Sequence, residues 1–147
     1  MKLTRVFALA WFLQSLAVWP QLASENLIRV NIEGLCSDKG QIMCAVYSSA
    51  AAFPKDATQA LARAQSAVSG RHSVCSFAGI QPGTYAVAVF HDENSNGTLD
   101  VNFLGIPREG TGASRNAKGH LGPPKFDDAA FRYAGGRLEL KITIKYF

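Results

Sequence analysis

The chain has 147 residues, which is enough for one small domain with a single core but not for two such domains. Its formal net charge is +4, and no basic run is interleaved with aromatic residues. This composition does not favour a nucleic-acid partner.

Residues 1–24 have the layout of a cleavable signal peptide. Two basic residues precede an apolar run over 6–19, and the small residues Ala23 and Ser24 follow it. Two polar residues interrupt the run, which makes it short beside the roughly 20 apolar residues of a membrane span. We expect export, cleavage after Ala23 or Ser24, and a single mature domain over 25–147 with no membrane span. An uncleaved N-terminal anchor is the alternative.

Most of the predicted mature domain has strand patterns. Apolar residues alternate with polar ones over 27–32 and most clearly over 137–146, and further strands are predicted over 41–47 and 72–80. The segment 84–90 is apolar on both faces, which predicts a central, buried strand.

Three other segments differ. A turn at 37–40 predicts that the first two strands form a hairpin. Apolar residues over 53–67 recur at spacings near 3.6, and Pro54 suits a first helical turn, so a short helix is predicted there. The alanine-rich composition would equally suit a long connection. The segment 126–133 is expected to contain one helical turn or a short strand.

The segment 92–125 is rich in Gly, Asn and Pro, and loops of this length are usually functional or disordered. Short strands punctuated by turns predict a mainly β fold. We expect an antiparallel β-sandwich, immunoglobulin-like or prealbumin-like, with about seven strands, one short helix and a long Gly-rich loop.

Three cysteines, Cys36, Cys44 and Cys75, permit one disulfide in an oxidising compartment. Cys44 and Cys75 both fall in predicted strands and are the favoured pair. Cys36 with Cys44 is the rival, and three unpaired thiols is the third option. No CxxC or Cys/His spacing is present, so a zinc site is not expected.

The segment HDENSNGTLD, residues 91–100, resembles the first part of an EF-hand calcium loop. Alternate side chains of a tight loop converge on one point, and Gly97 permits the sharp turn. The predicted calcium ligands are Asp92, Asn94, Asn96, the Thr98 carbonyl and Asp100.

The loop also departs from that pattern. Position 12 is Phe103 rather than a bidentate Glu, and no helix flanks the loop. Glu109 is the nearest downstream carboxylate that would close the site, and Asp127 or Asp128 would have to arrive by tertiary folding. We expect weak, extracellular-type affinity; a metal-free Asx-turn is the alternative.

A second group of residues follows the loop. Arg108, Arg115, Lys118 and His120 lie among glycines, where basic side chains and exposed amides would suit an anion or a sugar acid. The alternative is a solvated loop without a ligand.

Together these features resemble a bacterial exported family known as domain of unknown function 2141. The resemblance covers nearly all of 25–147, through 82–100, 103–110 and 122–131. Where the family often has Gly-Phe-Ser-Asn-Asn, this chain has GASRN at 112–116, without the aromatic residue. The resemblance implies a Gram-negative periplasmic or secreted protein and names no substrate.

We therefore expect a non-enzymatic exported sandwich whose calcium loop orders 101–125 for a protein or glycan partner in the cell envelope. The alternative is a periplasmic hydrolase or isomerase that uses His91, His120 and a carboxylate such as Asp92 or Glu109.

Overall fold

The computed structural model describes residues 26–147, which form two β-sheets packed face to face. The predicted signal peptide lies outside these residues. Within 26–147 there are eight strands: β1 Leu27–Glu33, β2 Gln41–Tyr47, β3 Ala62–Ala67, β4 Ser73–Ala78, β5 Gly83–Asp92, β6 Thr111–Ala113, β7 Phe131–Tyr133 and β8 Arg137–Thr143. The helical elements are the 3-10 turns Ala57–Gln59 and Ser114–Asn116 and the short helix α1, Phe126–Ala129.

The first sheet has the order β4-β1-β8, and the second has the order β3-β2-β5-β6, with β7 also pairing with β5. Neighbouring strands are antiparallel except β1 and β8, which run parallel with Leu27 opposite Arg137. The predicted mainly β sandwich is confirmed. No helix in the part of the chain described is long and apolar enough to cross a membrane.

The strand β5 is buried on both faces, as its sequence predicted. On one face Val87 and Val89 join the main core between the sheets. On the other face Ala86 joins a second cluster, in which the ring of Phe53 packs edge-on against Tyr47 and Phe126. The outer face of the second sheet is therefore covered by chain segments from before β3 and after β6.

A buried serine links β5 to the segment that covers it. The Ser114 hydroxyl donates to the Ala129 carbonyl at 2.6 Å and accepts from the Val87 amide at 2.9 Å. The Ser114 hydroxyl thus both donates and accepts a hydrogen bond inside the protein, and it fixes the Ala129 backbone beside β5.

Two sequence predictions were wrong. β1 and β2 do not form a hairpin, because they belong to opposite sheets and face each other across the shared core. The helix over 53–67 is replaced by a 3-10 turn and by β3, an edge strand on β2. Ala62 and Ala64 alternate with exposed Arg63 and Gln65, so the alanine spacing also fits a period of two. The segment 126–133 contains both predicted possibilities, α1 and β7.

A disulfide joins Cys44 of β2 to Cys75 of β4, with the two Cα atoms 6.7 Å apart. It connects the two sheets directly through the core, where both residues are buried. Cys36 is free and exposed. The pair favoured from the sequence is the one present in the structure.

We expect the Cys44→Ala/Cys75→Ala double variant to lose about 2–4 kcal/mol of unfolding free energy, since the cross-link restricts the unfolded chain. Urea denaturation of both proteins measures the loss. Cys36→Ala is the matched control, and its stability should change by less than about 0.5 kcal/mol because the side chain is exposed. Equal stability of the double variant and the control would contradict a stabilising cross-link.

Candidate functional site

The end of β5 carries Asp92 into the base of the calcium-type loop. Its carboxylate is fully buried and accepts hydrogen bonds from the Gln41 side chain at 2.8 Å, the Gly97 amide at 2.9 Å and the Asn96 amide at 3.0 Å. Gly40 is required beside it, because a Cβ atom at that position would collide with the Asp92 carbonyl oxygen.

The protonation of Asp92 follows from two opposing effects. Burial disfavours the carboxylate, but hydrogen bonds from Gln41 and from the amides of Gly97, Asn96 and Ser95 outweigh it and lower the pKa of Asp92. The base of the loop therefore holds a stable negative charge.

The predicted ligands of the loop converge on Asp100. The Asn94 side-chain amide donates to the Asp100 carboxylate at 2.7 Å, and the Asn96 amide group donates to it at 3.1 Å. The Asn96 side-chain oxygen accepts from the amide and the hydroxyl of Thr98. Three of the five predicted ligands thus form one polar cluster above Asp92, which Thr98 joins through its amide and hydroxyl rather than through the predicted carbonyl.

Glu109 closes the loop from below. Its buried carboxylate accepts from the Glu93 amide and from the Asp100 amide, each at 3.0 Å. One side chain therefore fixes both ends of the loop, and the role of Glu109 as a calcium ligand stays a prediction. Asp127 and Asp128, the other suggested carboxylates, lie exposed on α1.

A small hairpin projects beyond the loop. Val101 pairs with Pro107, and the Asn102 side chain accepts from the amides of Leu104 and Ile106 at 2.9 and 3.0 Å. At its tip Phe103 is 95% exposed and Leu104 is 68% exposed. We call the residues 101–107 the apolar hairpin, because an ordered backbone holds large apolar side chains in solvent.

The four predicted anion-binding residues are all exposed. Arg108 follows the apolar hairpin, and its backbone amide donates to the Asp100 carbonyl. The other three residues follow β6: Arg115, Lys118 and His120. Arg115 donates to the Ala130 carbonyl at 3.2 Å. The basic residues therefore come from opposite ends of β6.

His91 is fully buried and has a partner at each ring nitrogen. Nε2 lies 2.7 Å from the Lys39 carbonyl oxygen, and Nδ1 lies 2.7 Å from the Tyr146 hydroxyl. Partial burial, reinforced by the neighbouring Cys36 side chain, raises the pKa of Tyr146, so the phenol keeps its proton. His91 and the exposed His120 were suggested from the sequence as an acid–base pair; that role stays a prediction.

Sequence reasoning missed several residues around the loop. Gln41, Tyr146 and Cys36 come from β2, the C-terminal end and the β1–β2 connection, far along the chain from residues 91–100. No local spacing could have brought them together.

We expect Glu109→Gln to lower the unfolding free energy by about 1–2 kcal/mol, because two partly buried amides lose their charged acceptor. Amide exchange of Glu93 and Asp100 should also become faster, as measured by hydrogen–deuterium exchange. Glu139→Gln is the control, since that carboxylate is exposed. Unchanged exchange at both amides would contradict the role of Glu109 as the closure of the loop.

Comparison with known proteins identifies one family of bacterial proteins. A model of one protein family matches residues 30–141, which include most of both sheets, the calcium-type loop and the apolar hairpin. No curated protein and no solved structure matches the chain. The chain belongs to the family described as uncharacterized protein conserved in bacteria, DUF2141.

Proposed function

We propose that this protein is a non-enzymatic, exported β-sandwich whose loop at residues 92–100 binds calcium and thereby fixes the apolar hairpin for a partner in the cell envelope. The observation that carries the proposal is the Glu109 carboxylate, which joins the polar loop to the base of the apolar hairpin. Export is supported by the signal-like segment 1–24 and by the disulfide.

The donor chemistry of the loop fits calcium. Asp92, Asp100, Glu109 and two asparagine side chains offer oxygen atoms, which hard cations prefer. The Asn94 and Asn96 amide groups now donate to Asp100, so a bound ion would have to replace those hydrogen bonds. Asp92 and Glu109 are already satisfied by amides, which supports weak rather than tight binding.

The apolar hairpin supports the second half of the proposal. Exposed side chains as large as Phe103 and Leu104 gain free energy when a partner covers them. Asn102 holds the backbone in a single arrangement, so little ordering entropy would be lost on binding. Calcium would act at a distance from the partner by fixing the base of this hairpin.

A calcium titration of the purified protein tests the metal half of the proposal. At a calcium concentration about ten times the dissociation constant, we expect the melting temperature to rise by about 3–6 °C, because binding to the folded state adds about 1.4 kcal/mol. Extracellular calcium sites have dissociation constants of roughly 0.1–1 mM, so the titration should extend to roughly 10 mM.

Asp100→Asn should abolish this rise, because it removes the charge on which the loop side chains converge and leaves the backbone bond to Glu109 in place. Asp127→Asn, an exposed acid on α1, should keep the full rise. A rise retained in Asp100→Asn would show that calcium binds elsewhere, and no rise in any protein would reject the metal site.

Photo-crosslinking tests the partner half. A photoreactive phenylalanine analogue at Phe103 should give a covalent adduct with one envelope component in the producing bacterium, because that side chain is almost fully exposed on an ordered hairpin. The same analogue at Gln81, an exposed residue in the turn before β5, should give none. Identical adduct patterns at both positions would contradict a specific partner.

A further inference from the structure

Three ligand-type side chains meet on the other side of Asp92 from the calcium-type loop. Cys36 comes from the connection between β1 and β2, His91 from the end of β5, and Glu93 from the residue after β5. A ligand atom of each lies within 4.8 Å of the other two. Cys36 is exposed and His91 is buried, so the cluster opens to solvent at the thiol.

The tautomer of His91 suits a metal ligand. The Lys39 carbonyl can only accept, so Nε2 must carry the ring proton, and the Nδ1 lone pair faces the Tyr146 hydroxyl beside Cys36. Histidines that bind metals usually donate their other ring N–H to a carbonyl or a carboxylate in this way. At present the Nδ1 lone pair accepts from the Tyr146 hydroxyl, which in turn accepts from the Cys36 amide.

Glu93 is held toward the same point. Its Oε2 accepts from the Ser37 hydroxyl at 3.2 Å and from the Cys36 thiol at 3.7 Å. The carboxylate therefore faces the Cys36 side chain. A divalent cation placed between them would take the place of the thiol proton, which leaves to solvent, and form a metal–thiolate bond.

We propose that Cys36 Sγ, His91 Nδ1 and Glu93 Oε2 bind a zinc-type divalent ion, with the fourth position open to water. Tetrahedral zinc has ligand bonds of about 2.0–2.3 Å, which place the ligand atoms roughly 3.3–3.8 Å apart. Cys36 Sγ and Glu93 Oε2 already lie 3.7 Å apart, and since all three ligand atoms lie within 4.8 Å of one another, no pair needs to close by more than about 1.5 Å.

This site is chemically distinct from the calcium loop. Sulfur and imidazole nitrogen select zinc and related transition ions, whereas the loop offers only oxygen. The inference does not depend on the proposed function, since neither Asp100 nor the apolar hairpin takes part. The site could not be predicted from spacing along the chain, because 54 residues separate Cys36 from His91, the nearer of its two partners.

Cobalt, used as a spectroscopic substitute for zinc, tests the assignment directly. Protein expressed from the full-length sequence is first stripped of metal with a chelator. Addition of cobalt should then give a thiolate-to-cobalt charge-transfer band, and zinc should displace the cobalt. Absence of the band in protein whose exposed Cys36 is shown to be reduced would overturn the proposal. If a non-reducing gel shows an intermolecular Cys36 disulfide, the measurement is repeated after reduction. A band that is still absent then would overturn the proposal.

Variants separate binding from folding. Cys36→Ser and Glu93→Gln each remove a ligand that is not fully buried, and each should weaken zinc binding by at least about tenfold in chelator competition. Tyr146→Phe removes only the hydroxyl that competes for Nδ1 and should bind zinc at least as tightly as the parent protein. Undiminished affinity in both ligand variants, or loss of binding in Tyr146→Phe, would overturn the three-ligand assignment.

Discussion

Covering both faces of β5 is the constraint on which the rest of this structure depends. Its inward residues require an opposing sheet, and its outward alanines require the aromatic cluster around Phe53. Once both faces are covered, any polar residue at the end of the strand is also removed from water. His91 and Asp92 are such residues, and their burial is tolerated only because every polar atom of theirs that needs a partner has one.

This position gives the two residues opposite tasks. Asp92 turns toward the loop and organises amides around a negative charge. His91 turns toward the β1–β2 connection and the C-terminal end, where it meets a phenol and a carbonyl. Adjacent residues on a strand point to opposite sides, so one strand end can serve two separate groups of side chains.

Much of the fold could be predicted from the sequence because strand signals are local. The alternation in 137–146 and the two-faced apolar pattern of 84–90 each identify a strand, and the structure has β8 and β5 there. Alanine misled the prediction at 53–67, since a small side chain satisfies a helical and a strand period equally well. The sequence also could not predict which strands pair, because β1 and β2 have the same pattern whether they pair with each other or belong to opposite sheets.

That Glu109 lies beside the loop could be predicted, because the two are close together along the chain, but its bonds to the amides of Glu93 and Asp100 could not. The environment of His91 could not be predicted from the sequence, because Lys39, Tyr146 and Cys36 come close to it only in the folded sandwich. Local motifs therefore located the polar loop, whose calcium binding stays a prediction, and gave no account of the group of side chains beside it.

The parallel pairing of β1 with β8 has a consequence for how the chain is made. Leu27 lies opposite Arg137, so the first strand of the domain cannot complete its sheet until the last strand has been synthesised. Contacts between such distant parts of a chain slow folding, because a long segment must be ordered before they form. A nascent chain that lacks β8 keeps one edge of β1 unpaired, and the three-stranded sheet is complete only after β8 has joined it.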